Sequence, residues 1–228
     1  MPLPKVAVLI PTYNRGRLLT ENLGYLGQYL KGLVDITLFI GDDSDDDTLA
    51  FDCPGIDCKF PLYYERHAER KGLGANLNWL SQKAHEYQLA IALDDDHRLI
   101  ERLDITPYAD KLLADRSAGW IRLMGTGGHK LEARLEGLFW RVSWFSPELY
   151  IASFRAHLFK HRQWAEMYGP FPEGLKLGQT EEHFNHQCID IARGRVNSDA
   201  HTLDVLVPLS APEDSWTETG HSWQLEGL

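Results

Sequence analysis

Cysteine, positive charge and long apolar runs are all scarce in this sequence, and each scarcity removes a class of protein. The three cysteines, Cys53, Cys58 and Cys188, are odd in number and too few for a disulfide framework, so a reducing compartment is the simplest reading. Lys plus Arg number 23 against 33 Asp plus Glu, a formal charge of -10. That balance argues against a general binder of nucleic acid or of anionic membrane surfaces. The longest apolar runs, Val6 to Ile10 and Leu89 to Leu93, are strand-sized, far short of the roughly 20 residues a spanning helix needs. The opening Met1-Pro2-Leu3-Pro4-Lys5 has neither an apolar signal region nor a small-residue cleavage site. The expectation is a cytoplasmic protein.

What is present is enough apolar residue for a core. Hydrophobic residues make up 43% of 228 positions and charged residues 25%, ordinary values for a globular domain. The length suits one large domain, or two small halves sharing one core.

The first half alternates two periodicities. Val6 to Ile10 is a continuous apolar run closed by Pro11, the pattern of a strand buried on both faces. Leu18, Leu19, Leu23, Leu26 and Leu30 then recur at helical spacing. Val34 to Ile40 reads as a second strand, Leu62-Tyr63-Tyr64 as a weaker third and Leu89 to Leu93 as a fourth. Leu73, Leu77, Leu80 and Ala84 mark a helix before the fourth strand. Strand and helix in alternation predict an α/β fold with a mainly parallel central sheet flanked by helices. In the second half Ser117 to Met124, Leu138 to Phe145, Leu149 to Phe154 and Val205 to Val207 carry strand signals. Ala156 to Tyr168 and Thr180 to Ala192 read as helices, the second with Thr180 as N-cap. From Ser210 the chain is polar and acidic.

Polar clusters follow the strands: Thr12-Tyr13-Asn14-Arg15 the first, Asp42-Asp43-Ser44 the second, Asp94-Asp95-Asp96 the fourth. Open α/β sheets bind ligands beyond the carboxyl ends of their strands, so three separate clusters are expected to converge. Three adjacent carboxylates repel one another, and a divalent cation between them relieves the repulsion. Oxygen ligands suit Mn²⁺ or Mg²⁺. The competing reading is a solvated acidic turn. The five aspartates between Asp42 and Asp47 exceed what helix capping requires.

Four segments in this order resemble the family 2 glycosyltransferases of the GT-A fold. They are Val8-Leu9-Ile10-Pro11-Thr12-Tyr13-Asn14-Arg15, Leu38-Phe39-Ile40-Gly41-Asp42-Asp43-Ser44, Lys71-Gly72-Leu73-Gly74-Ala75-Asn76 and Leu93-Asp94-Asp95-Asp96. Gly169-Pro170-Phe171-Pro172-Glu173 followed by Thr180-Glu181-Glu182 is similar to a further segment of that family. The resemblance covers roughly residues 5 to 190.

It implies a single Rossmann-like domain: residues 1–105 a nucleotide-sugar-binding half, 106–209 an acceptor-binding half, and 210–228 an acidic C-terminal tail. It implies a nucleotide-sugar donor, commonly UDP-linked, and inversion at the anomeric carbon with Mn²⁺ or Mg²⁺. Pro11, Thr12, Tyr13, Asn14 and Arg15 would wrap base and ribose, and Asp43 would hold the base. Asp94 and Asp95 would serve the nucleotide, and Asp96, with Asp94, the metal of a DXD-type motif. Lys71, Gly72 and Asn76 open a helix near the donor, where a helix N-terminus favours phosphate; a plain loop-helix junction is the alternative. Glu182 would be the general base, with Glu181 beside it. Here the chain departs from the family, which has Asp at the second position. His201 is read as a late histidine completing the metal shell.

The acceptor stays open among a glycan, a lipid-linked sugar, a protein and a modified nucleobase. Trp140, Trp144 and Phe145 lie where the family places acceptor-facing structure. Two rivals remain. One is a degenerate GT-A domain that binds a nucleotide sugar or a partner without turnover. The other, a nucleotidylyltransferase, lacks its usual glycine-rich, arginine-bearing loop at Pro11 to Arg15.

Overall fold

The structure is a computed structural model that describes residues 3–48, 50–51, 59–124, 133–146, 151–152, 154–176, 178–197, 201–208 and 216–218. In chain order the elements are β1 (Lys5–Thr12), α1 (Gly16–Tyr29), β2 (Leu30–Lys31), β3 (Asp35–Asp42), β4 (Leu62–Arg66), α2 (Leu73–Lys83) and β5 (Leu89–Ala92). They continue with β6 (His97–Leu99), β7 (Leu103–Asp104), α3 (Thr106–Ala114), β8 (Ala118–Arg122), β9 (Ala133–Glu136) and β10 (Phe139–Val142). The last are β11 (His157–Phe159), α4 (His161–Tyr168), α5 (Gln179–Asn197), β12 (Asp204–Pro208) and β13 (Trp216–Glu218).

A nine-stranded sheet in the order β4-β3-β1-β5-β11-β8-β12-β10-β9 carries the fold. Its first half is parallel throughout, β4 on β3, β3 on β1 and β1 on β5. Then β11 enters antiparallel between β5 and β8, while β12 runs parallel to β8. The expected α/β architecture is therefore present, parallel in the first half and mixed in the second.

The continuous apolar run of β1 has a direct cause. Val6, Val8 and Ile10 pack on one face of the sheet with Leu19, Leu23 and Leu26 of α1. Ala7 and Leu9 pack on the other with Leu77 and Leu80 of α2 and with Phe184 and Cys188 of α5. A strand covered on both faces has no solvent side, so alternation disappears. Burial pushes the Cys188 thiol up, as suits an inert core residue.

One expected element is corrected. Ala156 to Tyr168 is not a single helix: His157–Phe159 is a strand, and the helix starts at His161. His157, Leu158 and Phe159 are all buried, paired to Ala92, Ile91 and Ala90 on one side and to Arg122, Ile121 and Trp120 on the other. Insertion between two strands overrides local helical propensity. Thr180 is not an N-cap either, because α5 already begins at Gln179. Within the acidic tail, β13 pairs antiparallel with β6, Glu218 opposite His97. Cys53, Cys58 and the Gly125 to Lys130 turn lie outside the described residues.

His157 lies in the core, its ring stacked 3.7 Å from that of Trp120. Its Nδ1–H donates to the Arg155 carbonyl at 2.8 Å. Burial keeps the imidazole neutral and pulls its pKa from 6.5 to about 3. Below pH ~6.5 the unfolded chain gains a proton that the folded one refuses. The stability tied to this group is thus present above that pH and is lost as pH falls toward 3. Between pH 7 and 5.5, urea unfolding is expected to lose roughly 1 kcal/mol more in the wild type than in His157→Phe. Parallel pH profiles for the two proteins would contradict a neutral His157.

Candidate active site

The carboxyl ends of β1, β3 and β5 meet at one crevice. The chain leaves β1 toward β3 on one side and reaches β5 on the other, so the crevice is a topological switch point. Register makes the convergence concrete. Thr12 is level with Asp42, and the Leu93 N–H donates to the Leu9 carbonyl at 3.0 Å.

The segment after β1 turns sharply because Asn14 takes the left-handed conformation, φ 56°, which asparagine tolerates better than most residues. Its N–H donates to Ser44 Oγ at 2.9 Å and its Oδ1 accepts from the Asp45 N–H at 3.0 Å. The turn aims Arg15 back at the acidic cluster. Arg15 Nη1 donates to Asp95 Oδ1 and to Asp96 Oδ2, both at 3.0 Å. Thr12 Oγ1 donates to Asp95 Oδ2 at 2.7 Å, and Asn22 Nδ2 donates to the Asp95 carbonyl at 2.8 Å. Both oxygens of Asp95 are thus engaged inside the protein, and the residue is buried. Burial raises its pKa to about 6, against the opposing pull of Arg15 and Thr12.

Asp94 and Asp96 differ from Asp95. The Asp94 side chain keeps 43% of its surface open. Desolvation by the protein around it, then the charges of Asp96, Asp95 and Glu181, raise its carboxyl well above the usual range. Asp94, Asp96 and His97 each present one ligand atom, all within 4.8 Å of one another. A hard divalent cation fits the two carboxylates of this cluster, since it would remove the repulsion that raises Asp94.

His201 does not join them. It precedes β12, whose Asp204 pairs with Ala118 at the start of β8. The end of β8 is level with the end of β5, because His157 faces both Arg122 and Ala92. His201 therefore lies at the opposite edge of the sheet, with about 13 Å of strand between. The residue that stands by the carboxylates instead is His97, which sequence reasoning passed over despite its place directly after three aspartates.

Asp43 is buried beside an open cleft of about 650 Å³ lined by Ser44, Asp45, Arg66, His67 and Arg70. Its Oδ1 accepts from His67 Nδ1 at 2.7 Å and from the Lys71 N–H at 3.1 Å, and its Oδ2 from the Gly72 N–H at 2.8 Å. The Lys71 and Gly72 amides, expected to face phosphate, thus hold this carboxylate. Asn76 is buried and its Nδ2 donates to the Gly41 carbonyl at 2.9 Å, which ties α2 to β3. Tyr13 stands at the cleft, its hydroxyl on Asp45 and the Arg70 guanidinium 3.8 Å over its ring.

The start of α5 is held against the same crevice. Glu181 Oε1 accepts from the Phe154 N–H at 2.8 Å. Asn185 accepts from the Ala152 N–H at 2.8 Å and donates to the Ala152 and Glu181 carbonyls at 3.1 and 3.0 Å. These bonds fix the first turn of α5 beside the strand next to β5, close enough for Glu181 to act on Asp94. Glu182 is exposed on that turn. The segment between α4 and α5 rests on α2, where Asn78 exchanges hydrogen bonds of 2.9 Å with the Phe171 backbone and donates to Glu173 Oε1 at 2.8 Å. Gly74 makes room for it: a Cβ there would meet the Pro172 carbonyl at 1.8 Å. Of the aromatics expected near an acceptor, Trp144 is buried in the core, whereas Trp140 and Phe145 are exposed.

A sheet in this order, with an acidic turn after β5 at the switch point, defines the GT-A class of glycosyltransferase fold. Solved structures carry the same fold. TarS of S. aureus, in complex with UDP-GlcNAc, aligns with a TM-score of 0.64 and 18% identity over 95% of this chain and 60% of its own. A mannosyltransferase from Pyrobaculum calidifontis, in complex with GDP-Man and Mn²⁺, gives 0.56 and 18% over 98% and 60%. GalNAc-T7 with UDP, GalNAc and Mn²⁺ gives 0.62 and 14% over 91% and 43%. The chain thus spans about three fifths of the length of the first two. No protein-family model matches it, and no curated protein matches it in sequence. Among the described residues no helix is long and apolar enough to cross a membrane.

Proposed function

We propose that this chain is a metal-dependent glycosyltransferase of family 2 type, moving a sugar with inversion from a nucleotide donor, UDP-linked, to an acceptor hydroxyl. The observation that carries the reading is the crowding of Asp94 and Asp96 at the switch point of a GT-A fold, where their charges call for a cation. The UDP, GDP-Man and Mn²⁺ bound by the structural neighbours support it.

Asp94 and Asp96 would hold Mn²⁺ or Mg²⁺, which supplies Lewis-acid relief of the charge that builds on a departing diphosphate. Arg15 and Thr12 hold Asp95 and thereby set the two ligating carboxylates. The 1–105 half takes the donor: Asp43 and the cleft beside Tyr13 receive the base, with Pro11 and Asn14 shaping the wall. The 106–209 half takes the acceptor. Glu182 is exposed on the first turn of α5, open to an acceptor in solvent. It takes the proton of the attacking hydroxyl as general base. Glu181 keeps the turn in place through Phe154. A single displacement of this kind needs no covalent nucleophile.

Thermal unfolding with a panel of nucleoside diphosphates, each with and without Mn²⁺, tests the reading. A metal-dependent rise in midpoint with UDP is expected, about 2.7 kcal/mol when the ligand is at 100 times its Kd. No shift with any nucleotide would sink the donor-site assignment.

A further inference from the structure

His97 is one of three residues whose ligand atoms cluster at the acidic turn, yet its hydrogen bonding speaks against ligation. The Asp94 backbone N–H donates to His97 Nδ1 at 3.1 Å, and the His97 N–H donates back to the Asp94 carbonyl at 3.1 Å. A ring nitrogen that accepts a hydrogen bond carries no proton, so in the neutral ring the proton sits on Nε2. That nitrogen faces Asp94 Oδ2 at 3.8 Å. Ligation through Nε2 would move the proton to Nδ1 and set two N–H groups head to head, leaving the Asp94 amide unpaired. The ring has little room to swing away, since only 3% of its side chain is exposed and β13 pairs across its backbone at Glu218.

We propose that His97 is a positioning residue and not a ligand. Its Nδ1 accepts from the Asp94 N–H and fixes that backbone, and the cation is bound by oxygen alone. Such a site takes Mg²⁺ and Mn²⁺ and gains nothing from the imidazole that favours Zn²⁺ or Ni²⁺. The inference rests on the cation reading of Asp94 and Asp96.

The test uses the full chain with UDP and Mn²⁺. Pulsed electron paramagnetic resonance of the wild-type Mn²⁺ complex is expected to lack the coupling of a directly bound nitrogen. In parallel, Mn²⁺ affinity is measured for His97→Asn and His97→Gln. The Asn amide oxygen stands where Nδ1 stands and still accepts from Asp94, so its Kd should stay within about threefold of wild type. Gln reaches the Nε2 position but abandons the Asp94 N–H, and should weaken Mn²⁺ tenfold or more. A bound-nitrogen coupling in the wild type overturns the inference, and so does the reverse ranking of the two variants. Should either variant fail to fold, the wild-type spectrum decides alone. A wild type that takes up no Mn²⁺ with UDP removes the cation reading itself, and the inference with it.

Discussion

Glu182→Gln is expected to lower sugar transfer by 10²- to 10⁴-fold, the usual contribution of a positioned general base, while nucleotide affinity stays unchanged. That is about 3–5 kcal/mol of barrier, the largest single effect a residue of this chain should have. The substitution removes one charge and keeps shape. Glu182 is exposed on the first turn of α5, so its neutral replacement leaves no buried charge unpaired and the fold should not suffer. Glu181→Gln separates the two neighbours. Its amide can still present an oxygen to the Phe154 N–H, so most turnover should survive. If instead Glu181→Gln abolishes transfer and Glu182→Gln does not, the base is the residue whose charge reaches Asp94. If both variants keep full turnover, neither carboxylate takes the proton. A protein that binds nucleotide yet transfers no sugar in its wild-type form would favour the degenerate binding-module reading.

The second large effect has two signs in one variant. In the metal-free protein Asp94→Asn removes a carboxylate raised by its surroundings and by three like charges. A carboxyl whose folded pKa lies above its unfolded value adds stability at low pH and loses it as pH rises through the folded pKa. At pH 7 its neutral replacement should therefore raise the unfolding midpoint without metal. With Mn²⁺ and UDP the same variant should lose the metal-dependent part of the stabilisation. A hundredfold weaker Mn²⁺ corresponds to about 2.7 kcal/mol. A purely structural acidic turn predicts otherwise: the metal-free midpoint would change, and Mn²⁺ would matter to neither protein. Equal Mn²⁺ responses in wild type and variant would rule Asp94 out as a ligand.

Much of the fold is legible in the amino-acid sequence. The unbroken run from Val6 to Ile10, the heptad-like leucines of α1 and the acidic turn after Leu93 are local patterns, and local patterns set element type and order. The alternation of strand and helix in the first half is a statement about neighbours in sequence, and the right-handed crossover rule converts it into a parallel sheet with its polar clusters at one edge. The convergence of the acidic clusters was legible for this reason: Asp43 directly follows β3, Asp94 to Asp96 lie within four residues of the end of β5, and strand ends on one edge must converge.

The rest was decided by partners far apart in the chain. His157–Phe159 looks helical beside Trp164 and Tyr168, and becomes a strand only because β5 and β8 leave a gap between them. Lys71 and Gly72 look like a phosphate cradle, and turn out to be held by Asp43 nearly thirty positions earlier. His201 has the same chemistry as His97, yet it is exposed in a loop whereas His97 is buried at the start of β6. The sheet register puts one at the far edge and the other among the carboxylates. Sequence by itself determined the α/β class, the order of the elements and the carboxylates of the crevice, because hydrophobic period and strand-end chemistry are local. Tertiary structure alone decided which oxygens of the crevice carboxylates are closed, because the hydrogen bonds on Asp43, Asp95 and Asp96 come from residues more than twenty positions away.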